Sequence, residues 1–197
     1  MRRQKSFIND SPTLYLVTTP IGNLEDITLR AINTLKKVDK IYCEDTRVSV
    51  KLLKHYDIEK PLDTYHDHNK DIKKEHILND LLNHKSVALI SDAGHPLISD
   101  PGYTIVKEAK EKGYNVVSIP GASALLTALS VSEIAPHPFT FYGSLSTKQS
   151  ARIKELEHLK SHPETLIFYE SPHRIYKTIS DCYEVFGNRL AVIAREL

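Results

Sequence analysis

The chain has 197 residues, 41% hydrophobic and 26% charged, with a formal net charge of +1. These values describe a soluble globular protein of one large domain or two small ones. The near-neutral balance demands neither a nucleic-acid nor a membrane partner. No run approaches the roughly 18 apolar residues of a membrane span. Cys43 and Cys182 are far apart and outside any CxxC, so they read as reduced thiols of a cytoplasmic protein. The start, Met1-Arg2-Arg3-Gln4-Lys5, is basic but no apolar segment follows. Residues 1–12 are expected to be a flexible tail rather than a secretory signal.

Leu14 to Val17 reads as a strand and runs into Thr18 to Asp26, a loop with Pro20, Gly22 and Asn23 for turning and Asp26 as a cap. Leu29, Ile32, Leu35 and Val38 then recur at helical spacing. Lys40 to Glu44 is a second strand, followed by a helix with Val50 and Leu53 inward. Pro61 to Tyr65 is a weaker third strand, and Ile72, Leu78, Leu81 and Leu82 mark the next helix. Ser86 to Ile90 is a fourth strand and Asn115 to Ile119 a fifth, separated by a helix from about Pro101. An apolar helix ends near Val131. The prolines of Ala135-Pro136-His137-Pro138 mark a linker. After it come a strand at 139–142, a helix at 151–159, a strand at 165–169, a helix at 175–186 and a last strand at 190–194. Strands alternating with helices predict parallel sheets. The class is therefore α/β, in two αβα units: a mainly parallel five-stranded N-terminal domain over 13–134 and a smaller second domain over 139–197.

The polar clusters follow the strands. They are Asn23 to Asp26, Glu44 to Arg47, His66 to Asn69, Ser91 to Asp100, Gly121 to Ser123, and Glu170 to Arg174. In a parallel sheet all carboxyl ends point one way, so such clusters share a rim, where α/β ligands bind. A helix cap explains one polar residue per loop, not Glu44, Asp45 and Arg47 together. The loop from Ser91 to Gly102 is longer than a βα connection needs. Asp100-Pro101 in it reads as cap and first turn, as does Ser171-Pro172 further on. GxGxxG, GxxxxGK[ST] and GxSxG are all absent, as is HExxH. His66, Asp67, His68 and Asp92 do not have the spacing of a metal site.

The blocks Leu14-Tyr15-Leu16-Val17, Thr19-Pro20-Ile21-Gly22-Asn23-Leu24, Glu44-Asp45-Thr46-Arg47, Ser91-Asp92-Ala93-Gly94, Ile98-Ser99-Asp100-Pro101-Gly102-Tyr103 and Phe168-Tyr169-Glu170-Ser171-Pro172-His173-Arg174 resemble the ribosomal RNA small subunit methyltransferase I family. That family has the tetrapyrrole methylase fold. The resemblance runs from Leu14 to the end. It implies methyl transfer from S-adenosyl-L-methionine to a cytidine ribose 2′-oxygen in small-subunit (16S) rRNA. It also implies two α/β domains with the cofactor held in a cleft between them, a homodimer, a 30S-subunit partner, and no metal or membrane. Carried over, it assigns cofactor binding to Leu24, Asp92, Gly94, His95, Ile98, Gly121, Ser123, Ala124 and Tyr169. The substrate side falls on Glu44, Asp45, Asp100 and Arg174, and catalysis on Glu170, His173 and Arg47. A salt bridge to a nearby acid is the competing reading of Arg47 and Arg174.

The chain departs from the family at His95-Pro96-Leu97, where Thr-Pro-Gly is usual. It also departs at Ala122, and at Ser144-Leu145-Ser146. It ends at Arg195-Glu196-Leu197, where the family continues, so the second domain is expected to be C-terminally shortened and activity weak or lost. A non-catalytic remnant or RNA-binding module is the second reading. A methylase of a small tetrapyrrole is the third.

Overall fold

The computed structural model describes residues 11–196, so the expected tail lies outside the described residues except for Ser11 and Pro12. By packing, the chain divides into two compact units between Ser123 and Ala124. The helix that follows Ser123 therefore groups with the second unit, although the sequence places it before the linker.

The first unit alternates β1 (Thr13–Val17), α1 (Leu29–Lys37), β2 (Lys40–Cys43), α2 (Thr46–His55), β3 (Leu62–Thr64), α3 (Lys70–Leu82), β4 (Val87–Ile90), α4 (Tyr103–Glu111) and β5 (Asn115–Ile119). Its five strands are all parallel, in the order β3-β2-β4-β1-β5. Central β4 is buried at all four residues, as a strand covered on both faces must be. β3, at the edge, is only partly buried.

The side chains alternate across this sheet and divide the core in two. Val17, Ile41, Cys43, Ala88, Ile90, Val117 and Ile119 pack with Ala31 and Leu35 of α1 and Leu53 of α2. Leu14, Leu16, Tyr42, Val87 and Leu89 pack with Ile77, Leu78 and Leu81 of α3 and Ile105 and Ala109 of α4. So α1 and α2 cover one face, and α3 and α4 the other. The chain steps toward the β3 edge through α1 and α2 and back through α3 and α4. A right-handed crossover changes face when that direction reverses.

Periodicity found the helices but misjudged part of their inward faces. Leu29, Ile72 and Leu82 are largely exposed, and Val50 points outward beside buried Ser49 and Leu52. Three expected caps are not caps. Thr28, not Asp26, caps α1, its side chain accepting from the Ala31 N–H. Helix α4 begins after Gly102 rather than at Asp100-Pro101. The last helix begins after Arg174, three residues beyond Ser171. In both latter cases the Pro is spent in the connecting turn and the helix starts after it.

The second unit holds α5 (Ala124–Val131), β6 (Phe139–Ser144), α6 (Gln149–Leu159), β7 (Thr165–Tyr169) and α7 (Ile175–Phe186). β6 and β7 form a parallel pair. Its core is small: Leu145, Leu156 and Val185, with Ile153, Phe168, Cys182 and Phe186 against them. Residues 190–194 are not a strand. Leu190, Val192 and Ile193 are exposed and pair with neither β6 nor β7, because an apolar run becomes a strand only where an edge accepts its hydrogen bonds. Cys43 and Cys182 are both free thiols. Among the described residues, no helix is long and apolar enough to cross a membrane.

Candidate active site

The first unit gathers its polar loops by register. Val17, Cys43, Thr64, Ile90 and Ile119 are aligned across the sheet as the last residues of their strands. Thr18, Glu44, Tyr65, Ser91 and Pro120 therefore emerge in one row at the carboxyl edge. Neighbouring strands β1, β4 and β2 send their connections to alternate faces, which opens the crevice typical of a topological switch point.

The β1 and β4 loops are tied by backbone. Thr19 and Gly94 exchange hydrogen bonds, at 2.9 Å from the Thr19 N–H and 3.1 Å from the Gly94 N–H. The Thr19 hydroxyl donates to the Ser91 carbonyl at 3.0 Å. Gly94 has φ of +82°, in the left-handed region that favours glycine. The β5 loop is drawn against β1 at Gly121, where a Cβ would come within 2.8 Å of the Thr18 Cβ. Thr18 cannot yield, because it is buried and its hydroxyl donates to the Ile119 carbonyl at 2.8 Å.

The departure at Leu97 has a backbone consequence. Leu97 has φ of +74°, and Ser99 +68°. A glycine at 97 would adopt that conformation freely, whereas a leucine is strained there. The Leu97 side chain recovers part of this by packing into the α3–α4 side of the core and over Gly102. His95 braces the same loop, with one ring nitrogen 2.8 Å from Ser118 Oγ and the other 2.6 Å from the Pro96 carbonyl.

The rim of this unit is acidic. The Asp92 carboxylate accepts from the Asp45 N–H at 3.1 Å, joining the β4 and β2 loops. Arg47 pairs with Asp45 through Nε at 3.0 Å, and that contact, with the Arg47 N–H, holds the Asp45 carboxyl down to about 2. The salt-bridge reading of Arg47 is thus realised. Burial, reinforced by the charges of Asp100, Asp92, Asp67 and Asp45, raises the pKa of Glu44. Burial also raises Asp100, with Asp92 and Asp67 adding to it and a hydrogen bond from Ser91 opposing it. Glu44, Tyr65, Ser91, Pro96, Asp100 and Pro101 line a small recess. Burial pushes the nearby Cys43 thiol to about 11, which leaves it inert. Leu24, in a short 3-10 turn, and Ile98 are exposed on the loops themselves. Ser123 ends the β5 loop.

The second unit carries the remaining candidates. Tyr169 closes β7, its ring edge-on to Phe141 with centroids 4.8 Å apart. Ala124 opens α5. Glu170 is a buried acceptor: Oε2 takes bonds from Thr178 at 2.6 Å and Arg174 at 3.1 Å, and Oε1 from the Ser171 N–H at 2.7 Å. The salt-bridge reading of Arg174 is therefore realised too. Its guanidinium also donates to the Leu145 carbonyl at 2.8 Å. His173 is exposed in the turn before α7.

Sequence reasoning missed Arg152 and Asp181. They form a buried ion pair, each 3% exposed, with nitrogen–oxygen distances of 2.6 and 2.7 Å. Arg152 also donates to the Ser146 and Thr147 carbonyls. Both lie on amphipathic helices, where a charge at an inward position was the one available signal. Among the described residues, no three His, Cys, Asp or Glu side chains are grouped to hold a metal.

The chain joins a doubly wound parallel sheet, with its polar loops gathered at the carboxyl edge, to a second α/β unit in sequence. The Tetrapyrrole (Corrin/Porphyrin) Methylases model matches residues 13–197, and the chain belongs to this family. It is 53% identical to the Ribosomal RNA small subunit methyltransferase I of Bacillus subtilis, across 100% of this chain and 68% of that one. It is 50% identical to the enzyme of the same name from Xylella fastidiosa, across 94% and 68%. Among solved structures, a diphthine synthase matches with a TM-score of 0.65 at 17% identity, over 87% of this chain and 72% of that one. A cobalt precorrin-4 methyltransferase matches with a TM-score of 0.63 at 16% identity, over 88% and 74%. These two likenesses establish the fold.

Proposed function

We propose that this chain transfers a methyl group from S-adenosyl-L-methionine to a cytidine ribose 2′-oxygen of small-subunit rRNA. The observation that carries this reading is the 53% identity along the whole chain to a ribosomal RNA small subunit methyltransferase I.

The residues present fit such a cofactor. Its sulfonium and ammonium are cationic, and the first unit's rim is rich in carboxylates, with Glu44, Asp92 and Asp100 acting on one another by charge. Arg47, the nearby cation, is engaged by Asp45. Asp92, Gly94, His95, Ile98, Gly121, Ser123 and Leu24 of the first unit would hold it. Bound there, the cofactor supplies an electrophilic methyl group. The chain's part is to exclude water, fix the acceptor hydroxyl in line, and receive its proton.

The substrate side is Glu44, Asp45, Asp100 and Arg174. Of the three residues assigned to catalysis, His173 is exposed, while Glu170 and Arg47 are held in ion pairs. Those pairs favour a positioning role for both. A homodimer and a cytoplasmic location belong to the same reading.

The test is incubation of the purified chain with labelled S-adenosyl-L-methionine and 30S subunits, with the product mapped by primer extension. One protected cytidine is expected. Label on a small tetrapyrrole instead, or cofactor binding with no transfer, overturns the reading. Sedimentation checks the dimer.

A further inference from the structure

We propose that the phosphate backbone of the rRNA docks on the face of the first unit formed by α1 and α2; this rests on the methyl-transfer reading above. The two helices cover the same face of the sheet. Neither Leu29–Lys37 nor Thr46–His55 contains an Asp or a Glu. Between them they carry Arg30, Lys36, Lys37, Arg47, Lys51 and Lys54, all exposed. Among the described residues, Arg47 alone of these six is in an ion pair, with Asp45.

The spacing aligns the cations. Arg47, Lys51 and Lys54 recur at i, i+4 and i+7, opposite the buried Ser49, Leu52 and Leu53. They form a row about 10 Å long that points to solvent. Arg30 and Lys37, also seven apart, share one flank of α1, and Lys36 lies on the other. Both helices run back from the carboxyl edge. Arg47 is two residues from Asp45, so the α2 row starts at the substrate side of the candidate site.

The opposite face of the same sheet is neutralised from within. There α3 and α4 mix signs: Lys73 meets Asp63 at 2.7 Å, Lys74 meets Glu108 at 2.8 Å, and Lys70 meets Asp67 at 3.0 Å. The net charge of +1 therefore hides an uneven distribution. Helix dipoles account for Lys36, Lys37 and Lys54 in the last turns. They do not account for Arg30 and Arg47, each at the second position of its helix, where a cation opposes the dipole. The nearby acids stay in the connecting turns: Glu25 and Asp26 before α1, Asp39 after it, and Asp57 and Glu59 after α2. Asp39 accepts from the Ser86 N–H at 2.7 Å, and none of the five is ion-paired to a cation of the two helices among the described residues.

A row of unpaired cations is complementary to a row of anions, and a polynucleotide supplies these as regularly spaced phosphates. Such contacts orient a substrate without reading its bases. They also release counterions, so affinity falls steeply with salt.

The experiment measures binding of the purified chain to 30S subunits and to naked 16S rRNA across a salt series, with methyl transfer, cofactor affinity and thermal unfolding alongside. Lys36→Gln/Lys37→Gln and Lys51→Gln/Lys54→Gln are each expected to weaken RNA binding about tenfold and to lower the slope of log affinity against log salt by about two. The KM for 30S subunits should rise with the loss of affinity, while cofactor affinity and melting temperature hold. Lys107→Gln/Lys112→Gln, which removes two charges at α4, should leave RNA affinity unchanged. Wild-type affinity and salt slope in both α1 and α2 variants, or an equal loss in the α4 variant, overturns the assignment and leaves the methyl-transfer reading intact. Weakened binding to 30S subunits but not to naked 16S rRNA would place a ribosomal protein on this face and also overturns it. Binding that weakens as expected, with no methyl transfer by the wild type, supports the surface and overturns the methyl-transfer reading alone.

Discussion

The loops at the strand ends are held differently in the two units. In the first, backbone conformation and close backbone approach do most of the holding, with single side-chain bonds from Thr19, Asp92 and His95 added. Gly94 takes a left-handed conformation and exchanges hydrogen bonds with Thr19, and Gly121 lies against Thr18. In the second, side-chain charges do it. Arg152 is locked to Asp181 while reaching two carbonyls, Arg174 is locked to Glu170, and Glu155 accepts from the Ser146 N–H and hydroxyl. A loop shaped by its own backbone leaves its side chains available for a ligand, and those of the first unit are mostly carboxylates. A loop fastened by ion pairs has its charges already engaged. The difference teaches that charged residues in a strand-end motif are not equivalent candidates. Glu44 and Glu170 both follow a strand directly, and Glu170 is the one built into the scaffold.

Removing the strongest clamp of the second unit should have the largest effect. Arg152→Met strands Asp181 in the core, and a loss of about 3–5 kcal/mol is expected in chemical denaturation. The double variant Arg152→Met/Asp181→Leu should recover much of it, because both charges are then gone. Failure to recover would mean that the carbonyl bonds, not the ion pair, hold the loop.

The first unit should break at its backbone. Gly121→Ala forces a Cβ against Thr18 and is expected to cost up to about 3 kcal/mol. Thr18→Ser together with Gly121→Ala should relieve part of the clash, since the Thr18 Cγ2 is the second contact at 2.9 Å.

Charge also stabilises the first unit, but on its edge strand. Burial pushes the Asp63 carboxyl up, yet hydrogen bonds from Lys73, Lys40 and the Thr64 N–H outweigh it and bring it to about 2. A carboxyl depressed on folding contributes above its unfolded value, near 4, and loses that contribution as pH falls toward about 2. About 2 kcal/mol of stability should disappear across that window. Asp63→Asn should remove that part of the pH dependence in denaturant melts at pH 2 to 6, a range set about the two carboxyl values.

The smallest effect belongs to Arg47. Its pair with Asp45 is exposed, so Arg47→Ala should change stability by less than about 1 kcal/mol. A large loss of methyl transfer in that variant, with stability unchanged, would return Arg47 to the substrate side.

Local pattern by itself determined the alternation of strands and helices, the parallel five-stranded sheet and the common rim of its loops. Strand hydrophobicity and period are local, and parallel strands necessarily point their carboxyl ends one way. The motifs determined the family, since Glu44-Asp45-Thr46-Arg47 and Ser91-Asp92-Ala93-Gly94 are legible without coordinates. Tertiary structure alone decided which charges are free. Whether Arg47 meets Asp45, Arg174 meets Glu170, or Arg152 meets Asp181 depends on side-chain positions that no local period encodes. It alone decided that Leu190 to Ala194 forms no strand, because a strand is completed by a neighbour. It alone brought Glu44, Tyr65 and Asp100 to the lining of one recess, because three loops distant in sequence converge there only once the sheet has set their register.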